Sequence, residues 1–309
     1  MLRKNGIAEN PSADVSTFID EIMDVSGAQC PKPQAQSQEV FAERSTSPLE
    51  HFHLRSHPFA DNVNPEFFFR TEAHEEAFLR MKQCIDNDVA LGLTTALSGT
   101  GKTMLTQILL QELDPRSYKP ILVLVYPGMA RSALLNEIMN ELQLELPAGT
   151  RANVYGMIAA IQQEIIRLHR RGVKLVIIID EVHFLRADSL HILRTLSNIE
   201  VPERKLVTLL LFGEESFLAR MENPTYRSLF SRIFERVMLR PLNKNEVEQY
   251  IKFRCLMVGG GPSLFAQETF ARIYELSGGV PREINRICHS AMSRAARKAL
   301  IKVDLSVIE

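Results

Sequence analysis

Apolar runs alternate with segments of helical periodicity between residues 89 and 240 of the chain. Each run is rich in Val, Ile and Leu and is followed by a polar or Gly-containing stretch, as buried strands are. The runs are Val89–Ala96, Ile121–Val125, Leu175–Ile179, Val207–Phe212 and Val237–Leu239. Because strands that alternate with helices form parallel sheets, the pattern predicts an α/β fold with a five-stranded parallel sheet sandwiched by helices.

The strand-like runs stop at Pro241, and only segments of helical periodicity follow. These segments are Lys244–Val258, Ala266–Leu276 and Arg282–Leu300. The sequence therefore predicts a nucleotide-binding α/β domain over residues 51–241 and a small helical domain over residues 242–309.

Residues 1–50 mix Ser, Gln, Pro and acidic residues, a composition that buries too little apolar surface to offset the entropy of ordering. We predict a disordered tail. Within it, apolar residues recur at helical spacing and indicate a short amphipathic helix that docks on a partner or on its own domain, or else has no role. They are Val15, Phe18, Ile19, Ile22 and Met23.

Composition narrows the class of protein. The chain has 309 residues, of which 45% are hydrophobic and 24% charged, which is typical of soluble globular proteins. The longest apolar stretches, Leu175–Ile179 and Leu206–Phe212, are too short for a bilayer, and the first thirty residues lack the apolar core of a signal peptide. The four cysteines form no Cys-x-x-Cys pair. We expect free thiols, no integral membrane segment and a cytoplasmic location.

Charge is balanced overall but not along the chain. The net charge of −1 excludes a globally basic nucleic-acid binder. Residues 1–50 hold 4 basic and 8 acidic residues, whereas residues 225–309 hold 14 basic and 8 acidic residues. The net charge therefore does not exclude a local basic surface in the last third of the chain.

Residues 96–103 read ALSGTGKT and lie between a predicted strand and a predicted helix. Such a loop places backbone N–H groups and a helix N-terminus around an anion, and the pattern is that of a phosphate-binding loop. The lysine would contact the β- and γ-phosphates of a nucleoside triphosphate, and the threonine hydroxyl would bind Mg²⁺. The predicted binding residues are Ser98, Gly99, Thr100, Gly101, Lys102, Thr103 and Met104.

One position departs from the motif, since Ala96 stands where a glycine is usual. A methyl group is tolerated there if φ is negative. At a positive φ it would cost about 1 kcal/mol or more.

The apolar run Leu175–Ile179 ends in two carboxylates, at the strand end where ligands of open α/β sheets bind. Asp180 would hold Mg²⁺ together with Thr103, and Glu181 would orient and deprotonate the attacking water. His183 completes an Asp-Glu-x-His string that also occurs in helicases. Four letters are a weak match, and His183 is better explained as a packing or coupling residue at the start of the next helix.

Several further strings resemble AAA+ ATPases of the ExeA-like branch, also called general secretion pathway protein A, which is similar to ATPases that regulate transposon insertion. The resemblance covers about residues 52–300. The strings that carry it are 57–59 (HPF), 64–69 (NPEFFF), 71–77 (TEAHEEA), 211–214 (LFGE), 239–242 (LRPL) and 277–285 (SGGVPREIN).

The resemblance implies a P-loop NTPase with a C-terminal helical lid, ATP and Mg²⁺ as ligands, and a homo-oligomeric ring or filament. It further implies that Arg282 reaches the γ-phosphate from the lid. Arg232 would act in trans on the nucleotide of a neighbouring subunit, with Arg236 as the rival for that role. The phenylalanines 67–69 would either form the adenine pocket or belong to the core.

One feature of these ATPases is missing. The run Val207–Phe212 is followed by Gly213 and Glu214, whereas AAA+ proteins usually place a polar first sensor (Asn, Thr or Ser) at this strand tip. Either Glu214 supplies that contact or hydrolysis is slow.

Three functions follow as hypotheses. The first is an ATPase that remodels or assembles a partner complex whose identity the sequence does not give. The second is a DNA-associated ATPase of the transposition-regulator kind, suggested by basic residues near the C-terminus. The third is an ATP-dependent binding switch that hydrolyses slowly. The basic residues behind the second are Arg286, Arg294, Arg297, Lys298 and Lys302.

Overall fold

A five-stranded parallel sheet forms the centre of the fold, as the sequence predicts. The structure is a computed structural model, and it describes residues 47–60, 62, 64–146 and 153–309. The strand order is β2-β3-β6-β1-β7, and a short antiparallel hairpin, β4-β5, precedes β6. The strands are β1 (Leu91–Ala96), β2 (Tyr118–Leu124), β3 (Lys174–Asp180), β4 (Glu200–Val201), β5 (Arg204–Lys205), β6 (Val207–Glu214) and β7 (Glu235–Leu239).

Helices cover both faces of the sheet. Alternate residues of β3 lie in different cores: Ile177 and Ile179 pack with α4, α5 and α6, whereas Val176 and Ile178 pack with α2 and α3. Burial on both faces explains why this strand is an unbroken apolar run. The helices that precede β7 are α1 (Pro48–His51), α2 (Glu72–Asp86), α3 (Lys102–Glu112), α4 (Arg131–Glu141), α5 (Val154–Arg170), α6 (Ala187–Leu196), α7 (Ser216–Met221) and α8 (Arg227–Phe230).

Three helices follow the last strand: α9 (Lys244–Met257), α10 (Gln267–Ser277) and α11 (Pro281–Arg297). Their boundaries follow local signals. Asn243 and Glu246 form a reciprocal capping box at the start of α9. Gly278, with a left-handed φ of 58°, ends α10, and Pro281 opens α11. The helical lid predicted from the sequence is therefore present as α9–α11.

Residues near the start of the described chain pack on these last helices. Leu54 and Phe59 lie in one apolar core with residues of α9, α10 and α11. The guanidinium of Arg254 on α9 is buried and donates from Nε to the carbonyl oxygen of Pro58. The sequence placed residues 51–60 with the α/β domain, and the division at residue 241 remains a prediction.

Some predictions concern residues that the structure does not describe. The amphipathic segment Val15–Met23 and Cys30 lie outside the described residues. Cys84, Cys255 and Cys288 are buried free thiols. Among the described helices, none combines the length and the apolar composition needed to cross a membrane.

Candidate functional site

The loop from β1 to α3 has the backbone that its glycines predict. Gly99 and Gly101 have φ values of +81° and +107°, in the left-handed region that favours glycine. Ala96 is the last residue of β1, where it pairs with Glu214 and Leu239 in an extended backbone, and it is absent from the positive-φ residues of the described chain. The alanine at the first motif position therefore carries no left-handed strain.

Lys102 is the first residue of α3, and its ammonium group is nearly enclosed. Nζ donates to the carbonyl oxygens of Ala96, at 3.2 Å, and Leu97, at 3.1 Å. Burial lowers the pKa of Lys102, and the carboxylates of Glu181 and Asp180 oppose that shift. A buried cation inside a loop of backbone N–H groups is a site suited to a polyanion.

Thr103 and Asp180 come together behind this lysine. Oγ1 of Thr103 donates to Oδ2 of Asp180 at 2.9 Å, and the backbone N–H of Glu181 donates to Oδ1 of Asp180 at 2.9 Å. Burial raises the pKa of the Asp180 carboxyl, and the hydrogen bonds from Thr103 and Glu181 oppose that shift. A hydroxyl and a buried carboxylate at this distance fit Mg²⁺, which takes hard oxygen ligands and keeps several waters.

Glu181 follows β3 in a left-handed conformation, with φ 57° and ψ 36°. This backbone is uncommon for a residue other than glycine, and such residues concentrate at functional sites. Its carboxylate lines the cavity described below. Burial, and then the neighbouring Asp180, raise the pKa of Glu181.

A cavity of about 150 Å³ lies between the phosphate-binding loop and helices α9 and α11. Most of the residues that the sequence singled out line this cavity. Asp180 is not in the cavity wall, but it is hydrogen-bonded to Thr103, which is. The predicted residues in its wall are Ser98, Gly99, Thr100, Gly101, Lys102, Thr103, Met104, Glu181 and Arg282; the others are Asn62, Phe67, Phe68, Phe69, His74, Leu242, Tyr250, Arg254, Pro281 and Asn285.

Arg282 joins the lid to the loop. Its NH1 donates to Oγ of Ser98 at 3.2 Å, and its backbone N–H donates to the carbonyl oxygen of Gly99 at 3.2 Å. A Cβ at Gly99 would lie 2.7 Å from Cβ of Arg282, so the close approach requires glycine. The first turn of α11 thus sits directly on the phosphate-binding loop.

The other predicted arginines lie elsewhere. Arg232 donates from NH1 to Oδ1 of Asn198, a residue just after α6. The guanidinium of Arg236 lies 3.8 Å from the ring centroid of Phe230 and donates to the carbonyl oxygen of Phe230 at 3.2 Å. Neither arginine lines the cavity of its own chain.

His74 is a site residue that the sequence reasoning missed. Its Nδ1 lies 2.7 Å from Oγ1 of Thr71, and its Nε2 lies 3.1 Å from the carbonyl oxygen of Thr100. Because a carbonyl oxygen only accepts, Nε2 carries the proton and Nδ1 accepts from the hydroxyl. Burial lowers the pKa of His74, which keeps the ring neutral in this arrangement. The local signal was Thr71 three residues before His74 at a helix start.

The phenylalanines 67–69 were weighed from the sequence as adenine-pocket or core residues, and the adenine role stays a prediction. All three line the cavity, and they also pack against the apolar cores. Arg254 lies over the ring of Phe67 at 4.7 Å, and Phe68 meets His74 edge to face at 5.2 Å. One end of the cavity is therefore aromatic and the other is the polar loop.

Sequence comparison finds relatives over most of the chain. Residues 87–221 match the family described as an AAA domain. General secretion pathway protein A of Aeromonas hydrophila is 30% identical over 252 residues, which cover 82% of this chain and 45% of that protein. The chain thus spans less than half the length of this curated relative.

Structural comparison agrees on the fold. The ORC2 protein of Aeropyrum pernix in ADPNP–ADP complexes has a TM-score of 0.62 at 14% identity, covering 82% of this chain and 71% of its own. The Aeropyrum pernix ORC1 protein in complex with DNA has a TM-score of 0.58 at 20% identity, covering 82% and 67%. At these identities the likeness concerns the fold alone.

Proposed function

Because this chain belongs to the AAA+ family of P-loop NTPases, in the branch of general secretion pathway protein A, we propose that it binds ATP with Mg²⁺ and hydrolyses it to remodel or assemble a partner complex. One observation carries the proposal. The enclosed ammonium of Lys102, the bonded pair Thr103 and Asp180, and the carboxylate of Glu181 meet at one cavity beside the phosphate-binding loop.

The loop binds the phosphates. Residues 98–104, which include the N-terminus of α3, line the cavity, and Lys102 adds a full positive charge. Thr103 and Asp180 would hold Mg²⁺, which would supply positive charge against the phosphates. The aromatic residues 67–69 give the adenine ring an apolar surface at the other end of the cavity.

Glu181 orients the attacking water and accepts its proton, since its carboxylate lies in the cavity wall near Lys102. Because the pKa of Glu181 is raised, it lies closer to neutral pH, and the carboxylate is a better base. Arg282 contacts the γ-phosphate from the lid, because its guanidinium already bonds Ser98 in the loop.

Arg232 completes the site of a neighbouring copy. It lies outside the cavity of its own chain, so it can reach a transferred phosphate only in another subunit. This arrangement requires a homo-oligomer, either a ring or a filament. We place this activity in the cytoplasm, with a protein complex as the substrate of the remodelling.

Two substitutions test the activity. Lys102→Ala should abolish ATP binding, because it removes the cation enclosed by the loop. Glu181→Gln should retain ATP binding and lose turnover by about 10²–10⁴-fold, as expected for removal of a general base. The matched control is Glu222→Gln, a carboxylate on the surface after α7, which should leave both quantities unchanged.

The outcomes separate the hypotheses. Absence of ATP affinity in the unaltered protein would remove the proposal. Turnover that is slow and insensitive to Glu181→Gln would favour the ATP-dependent switch. Ala96 and the missing first sensor are the two features that favour a switch. Ala96 lies in extended backbone outside the positive-φ region, so it no longer favours that hypothesis.

A DNA-associated function has weaker support. The ORC1 relative was solved with DNA, and this chain has basic residues along α11. However, Arg286 pairs with Glu283 and Arg294 pairs with Glu309, which reduces the charge available to phosphates. Titration with duplex DNA at low and moderate salt tests this function, because an affinity that comes from phosphate contacts falls steeply with salt. No binding at either salt concentration would exclude it.

A further inference from the structure

His183 lies between two carboxylates at the tips of adjacent strands. Its Nδ1 is 3.3 Å from Oε2 of Glu181, which follows β3, and its Nε2 is 3.8 Å from Oε2 of Glu214, the last residue of β6. Only 11% of the His183 side chain is exposed. A histidine that merely filled space would not direct both ring nitrogens toward carboxylate oxygens, one of which lines the cavity.

The Nδ1 atom has two possible partners. In the structure Nδ1 accepts the backbone N–H of Glu214, which lies 3.4 Å away; a proton on Nδ1 would instead face the Glu181 carboxylate oxygen at 3.3 Å. One nitrogen cannot do both at once. A bond to an ionised carboxylate is about twice as strong as a neutral one, so ionised Glu181 selects the form with the proton on Nδ1.

The ring is held in place by the surrounding backbone. His183 is the middle residue of the 3₁₀ turn Val182–Phe184, and NH1 of Arg220 donates to the His183 carbonyl oxygen at 2.7 Å. Arg220 also donates to the carbonyl oxygen of Leu185. A Cβ at Gly213 would lie 2.8 Å from Cγ1 of Val182, so glycine in β6 allows the turn to approach the strand closely. The sequence reasoning expected His183 at the start of a helix; it lies in this turn.

We propose that His183 is a positioning residue for ATP hydrolysis, which holds one oxygen of Glu181 through Nδ1–H and leaves the other oxygen for the attacking water. Glu214, on the far side of the ring, faces Nε2. The pair His183 and Glu214 thereby occupies the place where the strand tip lacks a polar first sensor. This inference rests on the proposed ATPase activity.

Three variants at this position test the contact. His183→Ala should lower kcat roughly tenfold or more, because the carboxylate loses its orientation, while KM for ATP changes less than about twofold. His183→Asn should recover most of kcat, since its amide nitrogen can stand where Nδ1 stands. His183→Gln, whose amide reaches the position of Nε2 instead, should not recover it.

Steady-state turnover, ATP affinity and the melting temperature are measured for each variant. His191→Ala, a change at an exposed histidine on α6, is the matched control and should leave kcat unchanged. Retained ATP affinity and melting temperature exclude misfolding as the cause of a loss.

The results separate this inference from the function beneath it. If the unaltered protein shows no turnover, or if Glu181→Gln leaves turnover unchanged, the proposed ATPase function is wrong. If the unaltered protein turns over ATP and Glu181→Gln loses that turnover, the ATPase function stands. If His183→Ala then has an unchanged or higher kcat, or raises only KM, the positioning role of His183 is wrong. An Asn variant as slow as the Ala variant also overturns it, because the hydrogen bond would then not be what His183 contributes.

Discussion

Thr103 and Asp180 lie 77 positions apart in the chain, yet the hydroxyl of one donates to the carboxylate of the other at 2.9 Å. The contact joins the first turn of α3 to the end of β3. Asp180 is only 1% exposed, and burial raises its pKa, so the ionised carboxylate costs stability in the protein without nucleotide. The residue is therefore better suited to holding a cation than to stabilising the fold.

Asp180→Asn should stabilise the nucleotide-free protein at neutral pH while abolishing Mg²⁺-dependent turnover. The amide removes the buried charge. Its oxygen accepts from the backbone N–H of Glu181, and its nitrogen donates to the hydroxyl oxygen of Thr103, since a hydroxyl can rotate to accept. A gain on the order of 1 kcal/mol would raise Tm by about 2–4 °C. Thermal melts with Mg²⁺ and nucleotide omitted measure the effect.

The same substitution predicts a pH dependence. A carboxyl whose pKa is higher in the folded than in the unfolded state binds its proton more tightly when folded, so its contribution to stability is present at low pH and lost as pH rises through the folded pKa. The Tm difference between Asp180→Asn and the unaltered protein should therefore grow from acid toward neutral pH. Glu203→Gln, at an exposed hairpin residue, is the control. A lower Tm for Asp180→Asn at neutral pH would contradict the argument.

The sequence predicted those parts of the site whose residues are contiguous in the chain. The loop that ends in Lys102 and the apolar run that ends in Asp180 each carry their signal within about ten positions. The neighbours that support them do not: the carbonyl of Thr100 meets His74, and Arg254 on α9 meets the backbone of Pro58. These contacts depend on how distant segments pack, which no local periodicity encodes.

His74→Ala should weaken both the fold and the binding of ATP. The substitution leaves the buried carbonyl of Thr100 without its donor, which costs about 1–3 kcal/mol, and it loosens the loop that binds phosphate. Denaturant unfolding and ATP titration measure the two effects. His74→Gln, whose amide can still donate toward Thr100, should retain more of both. Equal losses in the two variants would show that the hydrogen bond is not the cause.

Position 279, in the turn before α11, should tolerate no side chain. A Cβ at Gly279 would lie 2.0 Å from the carbonyl oxygen of Leu242, and the φ of Gly279 is +75°. Gly279→Ala therefore combines left-handed strain with a collision, and we expect a loss above about 3 kcal/mol in unfolding free energy, together with loss of the contact between Arg282 and the loop.

Gly128→Ala separates these two causes. Gly128 has a φ of +80°, but an added Cβ there would meet nothing within 4 Å. Its cost should be the backbone strain alone, about 1–2 kcal/mol. If both alanine variants unfold at the same denaturant concentration, the close approach of the turn to Leu242 contributes nothing.

Arg232→Ala should change how turnover depends on protein concentration. Because Arg232 bonds Asn198 outside its own cavity, any effect on hydrolysis must pass through another copy of the chain. Turnover per subunit should rise with concentration in the unaltered protein, in step with particle size measured by light scattering. Arg232→Ala should remove the rise, with losses that reach about 10³–10⁵-fold where such an arginine has been measured, and leave ATP affinity at each site intact.

Arg236→Ala is the matched comparison. Arg236 is held over the ring of Phe230 and does not contact Asn198, so this variant should keep the rise. If Arg236→Ala abolishes the rise and Arg232→Ala does not, the trans role belongs to Arg236; a turnover that stays flat with concentration in the unaltered protein removes it from both.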